Sequence, residues 1–263
     1  MDILNLQLGH SELVYLLWLM KTLSIPGIGP KPFGDISGEQ VMASLASAEQ
    51  SLQARGLIGI EDTKVTINQQ ALILVGTCAM AKASLVVQSQ NKESTPEALF
   101  FHYHSKAWVR HSILEKGVHK FDLIESPLGD FTDLLEEIHT PTPVDTPPEL
   151  TLPQAVVEQV FTLFSNQQLS EANTVLEGAG FSADSARLLV DTLSDLQQKI
   201  FIGITYHNRT EDLIGDSTVL IRNSHGYWQA ENVVDTHAVN LIAISRQEII
   251  ELFNRLVEQA RQS

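Results

Sequence analysis

The sequence predicts an α/β protein of the α+β type: a duplicated unit with pseudo-twofold symmetry, its antiparallel β-meander sheets flanked by helical bundles. Three observations predict it. Strand-like runs follow one another across short polar turns, as in a meander, and do not alternate singly with helices. Each group is preceded by helical stretches and followed by one capped helix. The same order recurs at a separation of about 120 residues on either side of a proline-rich stretch.

In the first half, Ser84–Gln90 is a strand rich in β-formers, followed by the polar loop Asn91–Glu97. Ala98–His104, Ala107–Leu114 and Gly117–Glu125 then form a meander, separated by Ser105-Lys106 and Glu115-Lys116. Ser126-Pro127 opens a helix, with serine as N-cap, proline in the first turn and a stripe of Leu128, Phe131, Leu134, Leu135 and Ile138. The second half repeats this order. Ile200–Tyr206 is a strand and His207–Asp216 its polar loop; Ser217–Arg222, Tyr227–Val234 and His237–Ile244 follow as a meander. Ser245 and Glu248 make a capping box for the last helix, whose stripe is Ile249, Ile250, Phe253, Leu256 and Val257. Trp108 is expected to correspond to Trp228, and Ser126 to Ser245.

Helices precede each meander. Glu12–Leu23 is apolar almost all round, which implies deep burial. Gly38–Ala54 turns Val41, Leu45, Ala48 and Leu52 inward and ends at Arg55-Gly56, with glycine as C-cap. Leu57–Ile60 and Lys64–Ile67 read as a short hairpin, and Asn68–Lys82 as a further helix. Gln154–Phe164, Gln168–Gly178 and Ala183–Gln198 are the helices of the second half. Between His139 and Pro153 lie five of the ten prolines and no periodic pattern. The chain therefore divides into a first half over residues 1–140, a linker over 141–153 and a second half over 154–263.

Composition narrows the function. The 263 residues are 43% hydrophobic and 19% charged, an ordinary globular mix. With 32 acids against 17 bases the net charge is −15, which repels phosphate backbones and argues against a nucleic-acid ligand. The single cysteine, Cys78, lies in an apolar run, excludes an internal disulfide and fits a reducing compartment. Met1–Leu8 has no basic leader, and Leu13–Met20 is far shorter than a membrane span. A cytoplasmic protein without membrane insertion is the expectation, and the Asn208-Arg209-Thr210 sequon then carries no weight.

Two patterns could carry chemistry. Ser37–Ile67, a helix followed by a hairpin, has the outline of a winged helix, the basis of an alternative reading as a regulatory protein. Its helix has no basic residue before Arg55, and Glu39, Glu49, Glu61 and Asp62 surround it, so a packed helix and hairpin is the simpler reading. His102 and His104 alternate on one strand face. If the Ser105-Lys106 turn is tight, His111 joins them, giving three imidazoles that could hold zinc in a metal-dependent enzyme. The set depends on register and lacks a fourth ligand. No nucleophile elbow, phosphate loop, HExxH helix or CxxC pair occurs. The expectation is a binding protein, not an enzyme, with no cofactor and no metal.

Taken end to end, the order of elements resembles the EspG family, the cytosolic chaperones of mycobacterial ESX (type VII) secretion. The resemblance is carried by an N-terminal strand leading into LGHSELVYLLWLM and by the helix SGEQVMASLASAEQSLQARGLI, which ends in Leu52, Arg55, Gly56 and Leu57. An apolar helix, a meander, a proline-rich linker and helices follow, and the second meander carries NSHGYWQ over Asn223–Gln229. Where that family often has Gly-Arg-Tyr, this chain has His225-Gly226-Tyr227, without the arginine. The resemblance implies a quasi-twofold fold with a central antiparallel sheet, no catalysis, and a helical secreted partner or pair of the PE/PPE or WXG kind. Loops held on a rigid scaffold are common binding elements, and the expected contact is the first loop: Asn91, Lys92, Glu93, Ser94 and Thr95.

Overall fold

The computed structural model describes residues 4–22, 25–29, 31–62, 64–91, 96–135, 150–207, 212–224, 226–233 and 238–263. The first half runs β1 (Asn5–Gly9), α1 (His10–Leu19), α2 (Gly38–Ala54), β2 (Ile58–Glu61), β3 (Lys64–Ile67), α3 (Gln69–Met80), β4 (Ala83–Asn91), β5 (Glu97–His104), β6 (Ala107–Ile113), β7 (Val118–Ile124) and α4 (Pro127–Leu134). The second runs β8 (Leu150–Pro153), α5 (Gln154–Ser165), α6 (Leu169–Gly178), α7 (Ala183–Ser194), β9 (Gln198–His207), β10 (Asp212–Asn223), β11 (Gly226–Val233), β12 (Ala238–Ile244) and α8 (Arg246–Gln262). Apart from the β2–β3 hairpin, the two lists match element for element.

The strands of both halves join in one ten-stranded antiparallel sheet, ordered β1-β7-β6-β5-β4-β9-β10-β11-β12-β8. The order is a palindrome under exchange of the halves, so the pseudo-twofold axis passes between β4 and β9. There Val87 lies opposite Ile202. The last four residues of the proline-rich stretch are β8, which pairs with β12 through Leu150–Leu241 and Leu152–Val239. Those residues belong to the second half and not to the linker. Pro153 sits at the outer edge of the sheet, where a missing N–H costs no ladder bond.

The sheet is covered on both faces, which is why its central strands are apolar on both sides. One face carries α4 and α8 over the centre, packing Phe131, Ile249, Phe253 and Leu256 onto Leu85, Val87, Phe101, Ile200, Ile202 and Leu220. The other face carries α1–α3 over the first half, with Leu13, Leu16, Leu52 and Leu74 against Leu6, Leu8, Val109 and Phe121. Its second half carries α5–α7, with Val160, Leu176 and Leu189 against Leu152, Ile221, Trp228 and Leu241.

Local chemistry sets the helix ends. Ser245 accepts from the Glu248 N–H while the Glu248 carboxylate accepts from Ser245 N, the reciprocal capping box. Ser126 accepts from Leu128 N with proline in the first turn of α4. At the other end of α2, Gly56 adopts φ +66, the left-handed value that makes glycine the usual stop.

One expected correspondence is corrected. Trp108 belongs to the layer beneath α4 and α8, whereas Trp228 faces α5–α7 on the opposite side of the sheet. The turns fix the true register. His104 pairs with Ala107 across Ser105-Lys106, and Asn223 pairs with Gly226 across Ser224 and residue 225. Trp108 therefore corresponds to Tyr227, at the same separation that relates Ser126 to Ser245. A shift of one residue moves a side chain to the other face.

Two boundaries also move. β10 begins at Asp212, so half of the span expected as a second polar loop is strand. α7 ends at Ser194, and Gln198 opens β9.

Candidate functional site

The winged-helix outline is put to structural use. Glu12, at the start of α1, is buried, and its carboxylate accepts from Gly9 N, Ser51 Oγ and Arg55 Nη1, each at 2.7 Å. Arg55 Nη2 also donates to the Gln7 carbonyl at 2.6 Å. Burial alone would raise the Glu12 pKa, but hydrogen bonds from Ser51, Gly9 and Arg55, with the guanidinium charge, hold it below the usual carboxylate value. Arg55 thus ties the end of α2 to the β1–α1 junction and is committed inside the fold.

The three histidines proposed from sequence do share a sheet face, and the turn between β5 and β6 is the tight one required. They do not converge. His102 and His111 stack ring on ring, with centroids 5.9 Å apart and planes inclined by 26°, so their nitrogens do not point at a common centre. His104 lies at the end of β5, partly exposed and outside this contact. Among the described residues no group of three or more His, Cys, Asp or Glu side chains is arranged to hold a metal ion.

A different set of imidazoles comes together. His111 Nε2 lies 2.9 Å from His119 Nδ1, and His119 Nε2 lies 3.2 Å from His10 Nδ1. His10 Nε2 is 2.5 Å from the Pro32 carbonyl. A carbonyl only accepts, so His10 Nε2 carries the proton. His111 is buried in this row, with the Pro26 backbone as a further neighbour. A second branch runs from His102 Nδ1 through Ser84 Oγ at 2.7 Å to His207 Nε2 at 2.8 Å.

Burial, and secondarily the charge of His207, pushes His102 down to about 3. His119 falls to about 4 through burial and then His10, and His111 is lowered well below the ordinary value, chiefly by burial. The seam is a hydrogen-bonded row of imidazoles that fills the sheet surface under α1 and the segment at Ile25–Ile28. His119 reaches His111 through the β6–β7 pairing, in which His111 lies opposite Phe121, and His10 is brought to them because β1 returns to pair with β7, placing Leu8 opposite His119.

The first loop follows β4. Asn91 is exposed and pairs with Gln198 at the start of β9; Lys92, Glu93, Ser94 and Thr95 lie outside the described residues. Next to it in register, Gln90 pairs with Lys199. Lys199 stands on the wall of an apolar crevice of about 180 Å³ between the sheet and α5–α7, lined among others by Val160, Leu176, Leu189, Ile221 and Leu241. The end of β4 at Asn91, the α7–β9 junction and this crevice therefore adjoin at one end of the central strand pair. The second loop leaves β9 at the other end, where His207 N donates to the Lys82 carbonyl.

Among the described residues no helix is long and apolar enough to cross a membrane. No protein-family profile matches the chain, and no curated protein matches it by sequence. A solved structure does. The Mycobacterium tuberculosis type VII secretion system chaperone EspG5, in complex with a PE25–PPE41 dimer, matches over 97% of this chain and 96% of that chain, with a TM-score of 0.64 and 12% sequence identity. The chain thus has an EspG-like fold, at a distance in sequence.

Proposed function

We propose that this protein is a non-catalytic chaperone or adaptor that works in the cytoplasm and holds a helical secretion substrate, a protein or pair of the PE/PPE kind, before export. The observation that carries this reading is the end-to-end fold likeness to a chaperone solved with such a pair bound. Two features of the chain support it. Both halves are spent on building a rigid, doubly covered sheet, a scaffold suited to presenting loops. The buried histidines hydrogen-bond to one another or to Ser84.

The docking surface in this reading is centred on the first loop, Asn91 with Lys92, Glu93, Ser94 and Thr95, beside the α7–β9 junction. Co-expression with PE–PPE-type pairs from the same genome, followed by affinity purification on this chain, is the direct test. Recovery of a stoichiometric pair supports the reading, and recovery of none from the full set refutes it. Replacing residues 92–95 by Gly-Ser-Gly-Ser is expected to weaken capture while leaving the far-UV circular dichroism unchanged.

A further inference from the structure

The crevice under α5–α7 has a composition that a folding core does not require. Its wall is built from side chains such as Leu152, Val157, Leu189 and Ala230, all apolar, and from Lys199. Lys199 is exposed where the others are buried or half-buried, so it marks the mouth. Among the described residues its ammonium has no hydrogen-bond or ion-pair partner. A space of about 180 Å³ is larger than the roughly 150 Å³ apolar cavity that stays dry and takes up benzene. An unfilled apolar space of this kind forfeits dispersion contacts on every side.

From this geometry we infer a binding site for an amphiphile with a medium-length alkyl tail and a carboxylate head, of the fatty-acid class. The tail lies between the sheet and α5–α7, where burying each methylene is worth about 0.8 kcal/mol. The head meets Lys199 at the mouth, where the ammonium contributes as a charge-assisted donor. Charge complementarity selects the occupant: a neutral hydrocarbon leaves the lysine unused, and a cationic one is repelled by it. The inference is independent of any protein partner, because it rests only on the wall of this crevice.

The test is calorimetric titration of the purified full chain with octanoate, octan-1-ol and acetate. Octanoate is expected to bind and to raise the thermal midpoint, octan-1-ol to bind about tenfold more weakly through loss of one charge-assisted contact, and acetate not to bind. In Lys199→Met, octanoate should fall to the affinity of octan-1-ol. Ala230→Phe fills the crevice from β11 and should abolish binding of both. Val157→Phe does the same from α5, so a folding failure of one variant leaves the other informative. Absence of octanoate binding to the natural chain overturns the inference, as does equal binding of octanoate and octan-1-ol. Undiminished octanoate binding in a folded crevice-filled variant overturns it as well. So does a crevice that rejects octanoate while its filled variants lose capture of a protein partner.

Discussion

Phe131 and Phe253 stack with ring centroids 3.9 Å apart and planes inclined by 16°, although 122 residues separate them in the chain. They come from α4 and α8, the corresponding closing helices of the two halves, and both are completely buried. Each half thus contributes one ring to a joint that neither could form alone. Phe131→Ala and Phe253→Ala should each destabilise by about 3–5 kcal/mol, the range for truncating a buried aromatic. The double variant should cost less than their sum, with a coupling of about 0.5–1.5 kcal/mol. Urea denaturation of the four proteins measures this, and additive losses would show that the stack does not couple the halves.

The imidazole seam predicts acid sensitivity. His102, His111 and His119 are held below the ordinary histidine value in the folded state, mainly by burial and further by the neighbouring imidazoles: His207 on β9 beside His102, His102 and His119 beside His111, and His10 on α1 beside His119. A depressed histidine pKa means that the unfolded chain binds the proton more readily. Stability should therefore be intact above pH 6.5 and fall as the pH drops towards about 4, each such histidine contributing up to about 1.4 kcal/mol per pH unit. His119→Asn should flatten that dependence in denaturation series between pH 4 and pH 7. An unchanged slope would contradict the proton count.

Arg55 takes part in a second acid-sensitive contact, of the same sign but in a lower pH range. Its partner Glu12 has a lowered pKa, so the stability from this pair is present above the ordinary carboxylate range and disappears as acid protonates Glu12. The Arg55 side chain is 39% exposed, which discounts the pair. Arg55→Met should cost about 1–2 kcal/mol at neutral pH and almost nothing at pH 3. Denaturation at the two pH values separates loss of the ion pair from loss of packing.

Gly27 is strained for any other residue. Its φ is +89, and a Cβ there would lie 2.8 Å from Phe100 Cε2 and 3.1 Å from His111 Cε1. Gly27→Ala should destabilise by about 1–3 kcal/mol and expose the His111 end of the seam. Faster amide exchange at Gly27 and Ile28, next to an unchanged core, is the signature to measure.

Cys78 should be inert. It is buried, its Sγ donates to the Leu74 carbonyl at 3.3 Å, and burial raises its pKa well above the ordinary thiol value. A thiol reagent at pH 8 should react only after unfolding, and rapid reaction with the native chain would contradict this placement.

Much of this architecture could be read along the chain. The strand runs, the helix caps at Ser126 and Ser245, the inward stripe of α2 and the doubling of the whole unit follow from periodicities and turn chemistry acting within a dozen residues. The failures share a cause. Trp108 and Trp228 looked equivalent by residue type, yet a difference of one residue in register sends them to opposite faces. β8 escaped notice because an edge strand of four residues gains its stability from β12 and has little pattern of its own.

Local sequence determined which segments become helices or strands and that the order is repeated, because those outcomes depend on near neighbours. The tertiary structure decided which histidines meet: the β6–β7 hairpin sets His119 beside His111, but His10 joins them only because β1 crosses back to the outside of β7. It also decided that the two meanders share one sheet through β4 and β9, and that Lys199 stands on the wall of an apolar crevice. Those relations depend on pairing between strands far apart in the chain, and no pattern within a single strand specifies its partner.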